Sequence, residues 1–118
     1  MERLQKELAL LGRLDAPSVA PIAVVTLART YRDAVRLAWA RKRVHYATQR
    51  QLAAETGMPP QHVSDYLHTD DGPTRRDLPA WRIPEFEAFV GNTIVSQWLA
   101  LQARLTVLEE LQASRLAA

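Results

Sequence analysis

Between Thr48 and Leu67 the chain places four backbone constraints in close succession. Thr48 and Gln51 have capping-box spacing: the hydroxyl can accept from the Gln51 amide, and the Gln51 side chain can reach back to the Thr48 amide. A short helix is therefore expected to follow, running to Thr56. Gly57 supplies the left-handed conformation that ends it. Met58 precedes a proline and is pushed out of helical geometry. Pro59 and Pro60 suit the first turn of a new helix, where the missing amide protons would have no partner. That second helix carries Val63, Tyr66 and Leu67 and ends near His68.

Two short helices joined by a glycine turn form a helix-turn-helix arrangement. It needs a small residue where the helices cross, a residue free to take positive φ, and an aliphatic residue facing back into the core. Ala53, Gly57 and Val63 meet these needs, and Leu52 with Tyr66 or Leu67 closes the apolar triangle.

The rest of the chain reads as helical, with strand-like alternation almost absent. Leu4, Leu8, Leu11 and Leu14 recur at helical spacing. Residues 1–21 are thus expected to form an amphipathic helix and a connector broken by Pro17 and Pro21. A long helix is expected from Ile22 to Arg43, with Leu27, Tyr31, Ala34, Val35, Ala38 and Trp39 on one stripe. Asp70-Asp71-Gly72-Pro73 is a surface turn. A short helix should start near Pro84, stop at Gly91 and be followed by Asn92 as an N-cap. A last helix from Thr93 to about Leu116 contains no breaker.

Several function classes are excluded or left without support. With no cysteine there are no disulfides, thiolate metal sites or cysteine nucleophiles. No run of about 18 apolar residues exists to cross a membrane. The charged N-terminus, with Glu2, Arg3, Lys6 and Glu7, does not resemble a signal peptide. Ser64 lacks the partners of a nucleophile. His62, Asp65 and His68 follow one another by single turns but fall short of a metal triad. The expectation is a protein without catalytic activity, metal or cofactor, in the cytoplasm at the nucleoid.

Charge is unevenly placed. Between Arg29 and Arg50 stand Arg29, Arg32, Arg36, Arg41, Lys42, Arg43 and Arg50 against the single acid Asp33, a local +6. Gln51 to Gly72 holds Glu55, Asp65, Asp70 and Asp71 and no base, a local −4. A concentrated basic stretch points to a polyanion on one face. A solvated helix face, with the Arg41-Lys42-Arg43 cluster interacting with a helix C-terminus, explains the same residues.

The stretch from Thr48 to Leu67 resembles the helix-turn-helix of the Cro/repressor (Xre-like) superfamily. Gln49, the Leu52-Ala53 pair, Gly57, Val63 and Ser64 match that pattern in register. The whole chain is similar to small phage or prophage transcriptional regulators through Leu78-Pro79, Gly91-Asn92 and Trp98-Leu99-Ala100. The resemblance implies an all-α, lambda-repressor-like domain over 22–91 whose motif spans 48–68. It implies a second helix lying in the major groove of double-stranded DNA. Pro60, Gln61, Ser64, Asp65 and His68 would face bases. Gln61 could pair with adenine, and Asp65 could accept from a cytosine amino group. Arg41, Lys42, Arg43, Thr48, Gln49 and Arg50 would face phosphates. The recognition helix departs from the usual pattern in having no Arg or Lys, so affinity must come from the flanking cations, with Arg75 and Arg76 as further candidates.

Residues 92–118 are expected to form an oligomerisation helix. Ile94, Trp98, Leu101, Leu105, Leu108 and Leu111 make the seam, and packing on the Leu4-Leu8-Leu11 helix is the alternative. A homodimer or higher oligomer would read two half-sites about one helical turn apart. RNA polymerase is a candidate partner for such a regulator. The competing reading is a protein-interaction module, an antitoxin, anti-repressor or adaptor, that holds a partner with its apolar helices.

Overall fold

The computed structural model describes residues 16–103 and 107–117. The helix expected over Leu4–Leu14 and Leu105 of the expected seam lie outside the described residues, as does the side chain of Leu108. Among the described residues the protein is all-helical. Its elements are α1 (Ile22–Val25), α2 (Tyr31–Ala40), α3 (Gln49–Thr56), α4 (Pro60–Leu67), a 3-10 turn (Ala80–Arg82), α5 (Ile83–Val90), α6 (Ile94–Ala103) and α7 (Val107–Ala117).

The long helix expected over Ile22–Arg43 is two helices, and the reason is local. Thr30 is extended (φ −130°, ψ 167°), and its hydroxyl accepts from the Asp33 amide at 3.1 Å. Asp33 Oδ2 in turn accepts from the Arg29 amide at 3.2 Å. This reciprocal cap starts α2 afresh at Tyr31 and leaves Leu27 exposed between the two helices. At the other end α2 stops at Ala40, with Arg41 as its C-cap.

The expected punctuation around α3 and α4 is present. Gln51 N donates to Thr48 Oγ1 at 3.1 Å, and Thr48 N donates to Gln51 Oε1 at 2.8 Å. Gly57 is left-handed (φ 75°) and donates to Ala53 O at 2.9 Å. Arg82 adds a donor to Thr56 O at 3.4 Å, satisfying another carbonyl of that helix end. Pro59 is the N-cap of α4, and Pro60 opens it.

One core joins α2 to α6. Val35 and Ala38 of α2, Leu52 of α3, Val63 of α4, Phe86 and Val90 of α5, and Ile94 and Val95 of α6 are all buried in it. Ile94, expected on an oligomerisation seam, is wholly inside this chain's own core because the first turns of α6 pack against α2. Trp98 is half-buried on the same side. Its Nε1 donates to Ala28 O at 3.0 Å, and its ring lies 6.4 Å from that of Tyr31. Ile94 is thus spent on this chain's own core, whereas Trp98 keeps part of its surface outside it. Leu111 of α7 is exposed.

The joint between α5 and α6 is also closely made. Gly91 (φ 78°) ends α5. Asn92 Oδ1 accepts from the Ile94 amide at 3.2 Å. Glu87, itself buried, accepts from the Ser96 amide at 2.9 Å and the Ser96 hydroxyl at 2.7 Å. The connector before α1 lies over this joint. Ser18 N donates to Gly91 O and Thr93 N to Ser18 O, both at 3.0 Å. The Gln97 amide holds Ala20 by both of its backbone groups, at 2.9 and 2.8 Å.

Candidate nucleic-acid interface

The geometry of α4 follows from its apolar residues. Val63, Tyr66 and Leu67 face the core, which turns Pro60, Gln61 and Ser64 outward to solvent. His62 is half-buried, with its ring edge-on to Tyr66 at 6.4 Å. At the start of α3, Thr48, Gln49 and Arg50 are all exposed. The first amides of any helix lack intrahelical partners and favour an anion. Arg50, Ala53, Ala54, Gly57, Pro59 and Pro60 line one shallow, mostly apolar groove, so Arg50 and the first residue of α4 share a surface.

The C-terminal end of α4 is fastened to α2 by two guanidinium groups. Arg32 Nη2 donates to Asp65 O at 2.7 Å and to His68 O at 3.3 Å. Arg36 Nη1 donates to His68 O at 2.9 Å. Cations at this helix end satisfy orphan carbonyls and suit the dipole. The same two arginines hold the loop that follows. Asp71 Oδ1 lies 2.8 Å from Arg32 Nε and 2.7 Å from Arg36 Nη1. Arg36 also reaches Asp33 at 2.6 Å. The Arg36 hydrogen bond, then that of Arg32, draws the Asp71 carboxyl down to about 2. The Arg36 hydrogen bond likewise lowers the Asp33 carboxyl. Side-chain exposures of 12% and 19% for Arg32 and Arg36 mean that neither is a free surface charge.

Asp65 and His68, read from the sequence as base-facing, are held within the fold. Asp65 Oδ1 accepts from Arg75 Nη1 at 3.1 Å and Oδ2 from Arg76 Nη1 at 2.7 Å. The Arg75 hydrogen bond is the larger cause of a lowered Asp65 carboxyl. His68 Nδ1 accepts from the Asp70 amide at 3.1 Å, and its Nε2 lies 3.1 Å from Arg75 Nη2. The acceptor that would meet a cytosine amino group is thus already engaged by two guanidinium groups.

The cationic cluster after α2 divides. Arg43 donates to Gly91 O at 3.2 Å and Ser18 Oγ at 3.3 Å, closing the end of α5. Lys42 folds over the Trp39 ring at 4.4 Å. Within the stretch 29–50 the side chains of Arg29, Arg41 and Arg50 are exposed and carry no ion pair or hydrogen bond among the described residues.

The exposed candidates are therefore Pro60, Gln61 and Ser64 on α4 and Thr48, Gln49 and Arg50 at the start of α3, linked through the groove that Arg50 and Pro60 line, while Arg43 is engaged at the end of α5. Sequence reasoning missed the joint role of Arg32, Arg36 and Asp71. Its signal was the charge count itself: a +6 stretch followed by a −4 stretch is a pair able to neutralise one another. Comparison with family models, with curated proteins and with solved structures finds no match to this chain. No helix among the described residues is long and apolar enough to cross a membrane.

Proposed function

We propose that this chain is a sequence-specific double-stranded DNA-binding regulator of the phage or prophage type, with a lambda-repressor-like helix-turn-helix formed by α3, the Gly57–Pro59 turn and α4. The observation that carries the reading is the exposed edge of α4. Pro60, Gln61 and Ser64 stand clear of the core, Thr48, Gln49 and Arg50 at the start of α3 are exposed as well, and Arg50 and Pro60 line one shallow groove. A helix so placed can enter a major groove while helix-start amides and Arg50 meet the flanking phosphates. Gln61 supplies the amide suited to adenine, and Ser64 a hydroxyl that pairs with several base edges. Arg41 is a further phosphate donor. The reading gives the protein no chemistry of its own. It works at the nucleoid, with RNA polymerase as the partner through which it acts on transcription.

Assembly belongs to the same reading. The described side chains of α7 are exposed, Leu111 and Leu116 among them. A second copy covering that helix would bring two α4 helices to a two-fold site. The experiment that tests the function is selection of bound duplexes from a random library, followed by footprinting. Enriched sequence with two half-sites supports it, and retention of no duplex in dilute buffer overturns it.

A protein-interaction module is the second reading. The observation favouring it is the exposure of five large apolar side chains, Val19, Ile22, Leu27, Leu111 and Leu116. Such a module would pass through heparin unretained, whereas a DNA binder elutes with moderate salt.

A further inference from the structure

α4 carries no cation, so it lacks the donor for the commonest specific contact with DNA, a guanidinium on guanine. Asp65 nevertheless brings two guanidinium groups to the flank of this helix, one turn after Gln61 and beside Ser64. The two differ in what remains free. Arg75 is tied to Asp65 and His68, with Asp70 Oδ2 a further 3.7 Å from its Nε. Among the described residues Arg76 uses only Nη1, on Asp65 Oδ2 at 2.7 Å, and its side chain is 53% exposed. Its main chain is fixed separately, because Arg32 Nη1 donates to the Arg76 carbonyl at 2.6 Å. Arg76 is thus anchored at its backbone and at one guanidinium nitrogen, with Nε and Nη2 engaged by none of the described residues.

We propose that Asp65 is a positioning residue, and that the group it positions, Arg76, donates to a pair of adjacent acceptors on duplex DNA. This rests on the DNA-reading assignment of α4. The acceptors are either guanine N7 and O6 or two oxygens of a phosphate. A planar guanidinium suits both, and a carboxylate behind it lowers the entropy lost on binding. Asp65 then contributes to recognition while touching no base itself, contrary to the cytosine contact that its position in the motif predicts.

The test uses the full chain and three proteins: wild type, Arg76→Ala and Asp65→Asn. Duplexes are selected from a random library, and the wild-type winner is titrated between 50 and 200 mM salt. If the acceptors are on guanine, Arg76→Ala binds the winner roughly ten- to a hundredfold more weakly and loses a guanine preference at one position of each half-site. If they are on phosphate, Arg76→Ala weakens every duplex alike and the salt slope falls by about 0.9. In both cases Asp65→Asn weakens binding although it removes a negative charge, which a merely nearby acid would not do. Arg76→Ala binding with wild-type affinity and slope overturns the proposal, and so does Asp65→Asn binding more tightly than wild type. A wild type that retains no duplex removes the DNA reading and this proposal together, and that result differs from a wild type that binds while Arg76→Ala matches it.

Discussion

Asn92 Nδ2 donates to the Ala38 carbonyl at 3.0 Å, joining the last turn of α2 to the first turn of α6 across 54 positions of sequence. The same nitrogen lies 3.4 Å from Arg41 O, and Oδ1 accepts from the Ile94 amide. One buried amide therefore serves two helix ends. Asn92→Ala should lower stability by about 1–3 kcal/mol, because buried backbone groups lose partners that water cannot readily replace. Asn92→Asp should cost more, since a carboxylate would face two carbonyl oxygens. Urea unfolding of both variants checks this, and equal midpoints with wild type would refute it.

The two left-handed glycines should respond unequally to substitution. A Cβ on Gly57 would meet nothing within 4 Å, so Gly57→Ala should show only the backbone cost, about 1–2 kcal/mol. Gly57→Asn should be milder. A Cβ on Gly91 would lie 2.9 Å from both Cβ and Nε of Arg43. Gly91→Ala should therefore be the more damaging change, and Arg43→Ala in the same chain should recover part of the loss. Thermal denaturation of the four variants measures the difference.

Acid should act through the arginine-bound carboxyl groups. Asp71 titrates at about 2 in the folded protein, below its ordinary 3.8, chiefly because Arg36 and then Arg32 hydrogen-bond to it. A depressed folded pKa contributes stability above the unfolded value, and that stability is lost as pH falls through the window from about 4 to about 2. Asp71→Asn should flatten this limb of a melting-temperature profile. At the alkaline end Tyr31 is raised to about 12, by burial first and by the Asp77 charge next. Its stabilisation is complete below the unfolded value near 10 and is lost as pH rises toward 12. Tyr31→Phe should remove that limb and, with it, the 2.6 Å bond to Leu78 O. An unaltered profile in either variant would contradict the assignment.

Ile94 and Leu111 separate stability from assembly. Ile94 is fully buried, so Ile94→Ala should cost about 2–5 kcal/mol of folding stability. Leu111 is exposed, so Leu111→Asp should leave the melting temperature of the monomer nearly unchanged. Under the proposed dimer it should shift sedimentation to monomers and weaken operator binding. A folded dimer in this variant would place the interface elsewhere.

What could be read from the residues was what neighbours in sequence decide. The Thr48–Gln51 box, the stop at Gly57, the double proline and the stop at Gly91 each involve groups a few positions apart. The Thr30–Asp33 cap was equally local, yet the apolar spacing of Leu27, Tyr31, Ala34 and Ala38 runs straight through it, and periodicity hid the break. The ties from Arg32 to Asp71 and from Asp65 to Arg76 were not legible in the same way. They depend on a loop returning to a helix 39 positions earlier and on a side chain reaching 11 positions ahead. Composition shows that such charges can cancel, but only the packing of α2 against α4 shows which ones do. The burial of Ile94 was hidden for a related reason: apolar spacing on a helix shows that a face will be covered without showing by what, and here α2 covers it.

The inward pairing of Arg32 and Arg36 also bears on how this molecule would find its target. Charges cancelled within a few ångströms project almost no field beyond one screening length, about 8–10 Å in ordinary buffer. A duplex approaching from farther away would be drawn by fewer cations than the sequence contains. Its capture rate should then be modest and only mildly slowed by added electrolyte. Discrimination between sites would arise after contact, in how long each complex lasts.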